Sequence, residues 1–211
     1  MIVNEFLTVL IAFVIGYFIG SIPTAYIATR LKTGKDIRKL GGGNVGGLNT
    51  FKEVGLVPAI IVTLIDMGKG AAVVAIAHWV LNLDKPYVLI ATTAAVIGHN
   101  WMVWLKFSGG KGMGATVGAL LIIMPIYGYS LELAIFSAIA IIPFILTRNV
   151  ALSMSILLLS LPFIFWLGGT HSVMLVIWSV VLGLIIAGKF LPTALKALAK
   201  TTGVKDFIKG H

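Results

Sequence analysis

Residues 6–28 read FLTVLIAFVIGYFIGSIPTAYIA, an apolar run long enough to cross a bilayer as a helix rising about 1.5 Å per residue. Within it, Gly16-Tyr17-Phe18-Ile19-Gly20 has the GxxxG spacing that lets a second helix approach closely, and Gly20-Ser21-Ile22-Pro23 marks a kink or break. Comparable runs follow at 56–81, 87–104, 113–127, 131–146, 150–167 and 173–191. The pair 113–127 and 131–146 reads as two short spans joined by a tight turn near Gly128. The expectation is an all-α polytopic membrane protein of seven transmembrane helices, one domain over 1–211, ending in a basic tail at 192–211.

Composition excludes most other classes. Hydrophobic residues make up 59% of the 211, mean hydropathy is +1.05 and only 11% are charged, far from a soluble domain. No cysteine occurs, which removes disulfides, a thiolate nucleophile and cysteine-bound metal. The N-terminus lacks a positive n-region and a small-residue cleavage site, so residue 6 onward reads as a retained span. The net charge of +9 points to anionic lipid and topology; nucleic acid is not expected. Arg30, Lys32, Lys35, Arg38, Lys39, Lys52, Lys106, Lys111, Arg148 and the lysines at 189, 196, 200, 205 and 209 fall on one side of the seven-span arrangement, and Lys85 on the other. The positive-inside rule then puts the N-terminus outside and the C-terminus in the cytoplasm, in a multi-pass inner (plasma) membrane protein.

Two glycine-rich loops share the cytoplasmic side. Gly41-Gly42-Gly43-Asn44-Val45-Gly46-Gly47-Leu48-Asn49 carries five glycines in seven positions, so its backbone can take positive φ and present consecutive N–H groups to an anion. Asn44 and Asn49 add amides that donate and accept. Gly109-Gly110-Lys111-Gly112 adds an ammonium. Together they describe a phosphate pocket. Neither is a P-loop, because Lys111 is followed by Gly112 and not by Ser or Thr. Asp66 and Lys69 lie three residues apart in an apolar run, as a structural pair that shapes the pocket or as groups lining a cavity. His99, beside Asn100 and Trp101, reads as a general base, a donor to phosphate or an interfacial structural histidine. His78 reads as structural, and the tryptophans as interfacial or packing residues.

These pieces resemble the bacterial integral-membrane glycerol-3-phosphate acyltransferases that use acyl phosphate, the PlsY family. Gly20-Ser21-Ile22-Pro23 is similar to the family's G-S-x-P, Asp36-Ile37-Arg38 to its D-[IL]-R, residues 41–49 to its G-S-G-N-x-G-A-T-N, and Asp66 to Gly70 to its D-x-x-K-G. Gly98-His99 with Phe107, Gly109, Gly110, Lys111 and Gly112 resembles its G-H, F and G-G-K-G at unchanged spacing. Departures occur: Gly42 stands for the loop serine, Gly47-Leu48 for Ala-Thr and Lys52 for arginine. Likewise Gly114-Ala115 stands for Ala-Thr, and Asn149 and Ala151 for tyrosine and serine after Arg148. The family's H-R-x-N-x-x-R-L has no counterpart at Gly188-Lys189-Phe190-Leu191. The resemblance implies transfer of a fatty acyl group from acyl phosphate to the 1-hydroxyl of glycerol 3-phosphate in the membrane, without metal or cofactor. Lys111, His99 and Asn44 are then the catalytic candidates. Ser21, Arg38, Gly41, Gly43, Asn49, Lys52, Asp66, Lys69, Gly109, Gly110, Gly112 and Arg148 are the substrate-binding ones. Two alternatives stay open: another polyol-phosphate acceptor, and a non-enzymatic carrier of anionic solutes that uses the same basic pocket.

Overall fold

A computed structural model describes residues 2–198. The basic tail expected over 192–211 therefore lies largely outside the described residues, with the lysines at 200, 205 and 209. The chain is helical, and the described residues include no strand, only an isolated antiparallel bridge between Met102 and Ser108. In order come α1 (Ile2–Gly20), α2 (Thr24–Thr33), α3 (Gly47–Glu53), α4 (Leu56–Ala75), α5 (Lys85–Asn100), α6 (Met113–Ile126), α7 (Ser130–Thr147), α8 (Val150–Leu167) and α9 (Val173–Leu198). Short 3₁₀ turns occupy Ile37–Lys39 and Val103–Leu105, and α4 runs on into a π-helical turn at Ile76–Val80. Five helical stretches are long and apolar enough to cross a membrane: Glu5–Thr33, Leu56–Val80, Ser130–Thr147, Val150–Leu167 and Val173–Pro192.

Two expectations about the runs are sharpened. The first apolar run breaks at Ser21–Pro23, where proline lacks a donor and its ring disfavours a continued helix. The third run, expected over 87–104, is helical only to Asn100. Trp101 leaves the helical region at φ −132° and ψ 72°, and the chain folds back until Ser108 pairs with Met102. Near Gly128, φ is +89° in the turn between α6 and α7, a geometry that suits glycine.

The chain divides into two compact units, Met1–Ile123 and Met124–His211. In the first, backbones touch along two seams. A methyl added to Gly16 would stand 2.6 Å from the Ala91 carbonyl oxygen, and one on Gly20 would overlap that of Ala95, so α1 lies directly on α5. Gly98 returns the contact against Tyr17. The GxxxG spacing thus serves packing, with the close backbone approach that small residues allow. Gly70 on α4 and Gly118 on α6 repeat the arrangement, against the carbonyls of Ala115 and Met67. Beside these seams Ala25, Ile37, Val45, Val62, Met102 and Leu105 form a buried cluster. Burying a valine or isoleucine is worth about 1.5–3 kcal/mol, so Val45 anchors the first glycine loop from within. The outward faces keep large apolar residues such as Phe6, Leu64 and Ile60 exposed, which suits contact with lipid.

In the second unit, Tyr129 holds its neighbours by hydrogen bonds and ring packing. Its hydroxyl donates to the Phe165 carbonyl and accepts from the Ser172 amide, each at 3.0 Å, and its ring meets Phe165 edge-on.

Candidate active site

The first glycine loop is built from its flanks. Asp36 accepts from the Arg38 amide at 3.0 Å, and the Arg38 guanidinium forks back onto the same carboxylate, Nε to Oδ1 at 3.0 Å and Nη2 to Oδ2 at 2.6 Å. That hydrogen bonding holds the Asp36 pKa down at about 2 and raises that of Arg38. Nη1 of Arg38 also donates to the Leu105 carbonyl at 3.2 Å, and the guanidinium lies 5.5 Å from the Tyr26 ring centre. Arg38 therefore braces the loop against the turn after α5.

Asn49, buried at the start of α3, faces inward. Its Nδ2 donates to the carbonyls of Asn44 at 3.0 Å, Leu40 at 3.1 Å and Ile37 at 3.4 Å, while Oδ1 accepts from the Gly42 amide at 3.3 Å. Its polar atoms go to shaping the loop. The turn itself needs Gly41 at φ +52° and Gly43 at φ +69°. Asn44 is half-buried, and its side-chain amide makes no hydrogen bond to protein among the described residues.

The second loop leaves α5 through Lys106 and Phe107, both in the left-handed region at φ +55° and +59°. The Gly110 amide donates to the His99 carbonyl at 3.0 Å. A methyl on Gly110 would overlap Nε2 of His99 and stand 2.7 Å from the Val45 carbonyl oxygen. The two glycine loops therefore touch, through Val45 and Gly110. Gly109 is pressed against the carbonyls of His99 and Asn100, and Gly112, at φ +75°, lies against the Asn100 side chain. Lys111 is half-buried between them, and burial pushes its pKa below the ordinary 10.5.

Behind the loops sits a buried polar cluster. Lys69 Nζ donates to the carbonyl of Ile22 at 2.6 Å, to Thr24 Oγ1 at 2.8 Å and to Asp66 Oδ1 at 2.6 Å. Thr24 Oγ1 in turn donates to Asp66 Oδ1 at 2.5 Å. His99 Nδ1 lies 3.8 Å from the same oxygen. Asp66, Lys69 and His99 are each 3% exposed. Ser21, wholly buried, donates to the Gly98 carbonyl at 3.2 Å and accepts from the Val103 amide at 3.4 Å. The break between α1 and α2 is thus tied to the end of α5 and to α4.

Of the residues singled out by sequence, the first unit brings together Ser21, Arg38, Gly41, Gly43, Asn44, Asn49, Asp66, Lys69, His99, Gly109, Gly110, Lys111 and Gly112 around the two loops and this cluster. Lys52 is exposed on α3, and Arg148 is exposed in the second unit, where its left-handed geometry caps α7 at φ +55°. Thr24 and Asn100 escaped sequence reasoning. Thr24 carried one usable signal, its place as the first helical residue after a Pro-marked break. Asn100, wholly buried, has neither side-chain amide atom bonded to protein among the described residues.

The model of the family described as "Glycerol-3-phosphate acyltransferase" matches residues 10–200. A Dehalococcoides mccartyi protein named Glycerol-3-phosphate acyltransferase 1 is 47% identical over 197 residues, 93% of this chain and 94% of that one. From the same organism, Glycerol-3-phosphate acyltransferase 2 is 38% identical over 189 residues, 90% of this chain and 87% of that one. In fold, the chain is similar to the crystal structure of PlsY (YgiH), an integral membrane glycerol 3-phosphate acyltransferase, in its glycerol 3-phosphate form. The TM-score is 0.80 at 24% identity, covering 95% of this chain and 98% of that one. The lysophosphatidic acid form of PlsY gives a TM-score of 0.76 at 23% identity. Sequence likeness along nearly the whole length, and not the fold alone, shows that this chain belongs to the glycerol-3-phosphate acyltransferase family.

Proposed function

We propose that the protein acylates the 1-hydroxyl of glycerol 3-phosphate from a fatty acyl phosphate, giving lysophosphatidate and inorganic phosphate for phospholipid synthesis. The observation that carries this is the meeting of the two glycine loops at Val45 and Gly110, with half-buried Lys111 beside them. The amides of Asn44, Val45, Gly109 and Gly112 donate to no protein acceptor among the described residues, which leaves them for anionic oxygens. In this reading the amides of the second loop and Lys111 hold the acyl phosphate. Asn44 and Lys52 orient glycerol 3-phosphate, while Asn49 and Arg38 keep the first loop in shape.

An acyl phosphate is a mixed anhydride with a good leaving group. The acceptor oxygen bonds to the acyl carbon, the carbon–oxygen bond to phosphate breaks, and phosphate leaves with the electron pair. His99 is the candidate base for the hydroxyl proton. Positioning two anions and stabilising the departing phosphate supply the catalysis, so neither a covalent nucleophile nor a metal is required. The match over residues 10–200 supports one acyltransferase domain. Hydropathy and the lysine and arginine distribution support seven spans with the C-terminus and both loops in the cytoplasm. The test is direct. Purified protein given acyl phosphate and glycerol 3-phosphate should release phosphate and form lysophosphatidate, and Lys111→Ala should lose about 10²–10³-fold of that rate. Wild-type protein that forms no lysophosphatidate sinks the proposal.

A second acceptor is favoured by one observation, the lack of a histidine and an asparagine at Gly188-Lys189-Phe190-Leu191 on α9. A panel of polyol phosphates offered against one acyl phosphate separates the two readings by which product accumulates.

A further inference from the structure

We infer that Thr24 is a positioning residue for the second glycine loop, acting through Asp66 and His99. This rests on the reading of that loop as the holder of acyl phosphate.

The geometry begins with charge. Lys69 and Asp66 are buried together, and such a pair holds only where every donor finds an acceptor. The three N–H groups of the Lys69 ammonium are matched by three oxygens, from Ile22, Thr24 and Asp66. Thr24 is the member that both accepts from the ammonium and donates to the carboxylate. Without its hydroxyl one ammonium hydrogen loses its acceptor, and Asp66 Oδ1 keeps only Lys69 as a hydrogen-bond donor. Asp66 then has one of its two hydrogen bonds left to fix its orientation, and can turn about its side-chain bonds with that donor.

Asp66 touches the second loop from both ends. Before the loop, its Oδ1 stands 3.8 Å from Nδ1 of His99, and the other edge of that ring, Nε2, is the surface on which Gly110 lies. After the loop, a methyl on Gly114 would stand 2.9 Å from the Asp66 Cβ, so the first turn of α6 rests on the same side chain. A turn of Asp66 about these bonds moves Oδ1 and is therefore felt at His99 and, through its ring, at Gly110, while Cβ keeps its place against Gly114. Reacting groups misplaced by about 1 Å can cost 10²-fold in rate. Thr24 itself lies three residues beyond wholly buried Ser21, as the first residue of α2 just after the break.

The test compares Thr24→Val, which keeps the shape and removes the hydroxyl, with Thr24→Ser, which keeps the hydroxyl. Two quantities are read in purified wild type and variants: backbone amide exchange of residues 107–112, and steady-state kinetics in each substrate. Thr24→Val should speed exchange in that segment several-fold. It should lower kcat or raise KM for acyl phosphate about tenfold or more, and leave KM for glycerol 3-phosphate within about twofold. Thr24→Ser should restore both. If Thr24→Val does not fold, Thr24→Ala is read in the same way against Thr24→Ser. Unchanged exchange in 107–112, equal losses in both substrates, or a serine variant as impaired as the valine one overturns the assignment. Exchange does not depend on turnover, so an inactive wild type condemns the functional reading, whereas normal exchange in Thr24→Val condemns the positioning role.

Discussion

The α-carbon of Gly110 lies against the imidazole edge of His99, so that one added methyl would overlap Nε2. The same α-carbon faces the Val45 carbonyl of the other loop. Gly110→Ala must therefore displace the ring, the loop or both, and a rate loss of about 10²-fold is expected. Gly42→Ala is the control. No atom lies within 4 Å of a methyl there, and the residue is not at positive φ, so turnover should stay within about twofold. Steady-state assays of the two purified variants decide this, and equal activities would remove steric contact as the reason for glycine at 110.

Lys111 carries a pH prediction. Burial disfavours its charged form, so its pKa lies below 10.5. The unfolded chain then binds that proton more tightly than the folded one, and stability of the ligand-free protein rises with pH through the interval just below 10.5. Phosphate binding favours the ammonium, so affinity for a phosphate-bearing ligand should fall with rising pH in the same interval. Lys111→Arg should move this alkaline limb upward and Lys111→Met should abolish it, as titration of inhibitor binding by inorganic phosphate would show.

Asn49 is predicted to matter for folding before chemistry. Asn49→Ala leaves carbonyls of Ile37, Leu40 and Asn44 without their shared donor. A loss of about 2–3 kcal/mol, or roughly 5–10 °C in Tm, is expected. Asn49→Asp should be worse, because a carboxylate would face three carbonyl oxygens. Thermal unfolding in detergent measures both, and an aspartate variant as stable as wild type would contradict the inward-facing amide.

The Asp36–Arg38 fork gives an acid limb. A carboxyl held at about 2 against an ordinary 3.8 contributes stability that is complete above 3.8 and is lost as pH falls towards 2. Asp36→Asn should lower Tm at neutral pH and flatten its decline over that acid interval. A variant whose acid profile superimposes on that of wild type would refute the assignment.

How much of this was legible in the chain depends on what each residue does. Apolar runs at 113–127 and 150–167 coincide with α6 at Met113–Ile126 and α8 at Val150–Leu167, because turns at Gly128 and near Asn149 interrupt hydropathy as well as backbone. The run at 87–104 misled, since Trp101 and Trp104 are apolar yet follow the end of α5; hydropathy reports environment, not path. Five glycines at 41–47 announced a tight loop, but nothing in sequence told an asparagine whose amide is left unengaged by the described residues from one that faces its own backbone. Asn44 and Asn49 look alike until Nδ2 of Asn49 is seen reaching back to Leu40. Thr24 was hidden because one hydroxyl in an apolar segment makes no pattern until Asp66 and Lys69 are placed beside it.

The interrupted helix pair α1 and α2 has a consequence for lineage. The ammonium of Lys69 shares the Ile22 carbonyl, inside the interruption, with the Thr24 amide. A descendant that straightened this segment would take one of three acceptors from the Lys69 ammonium, and one that lost the cation would leave the Asp66 carboxylate buried without its counter-ion. Residues 22–24, Asp66 and Lys69 are thus expected to change together, and their joint replacement by apolar residues should be tolerated better than loss of Lys69 alone.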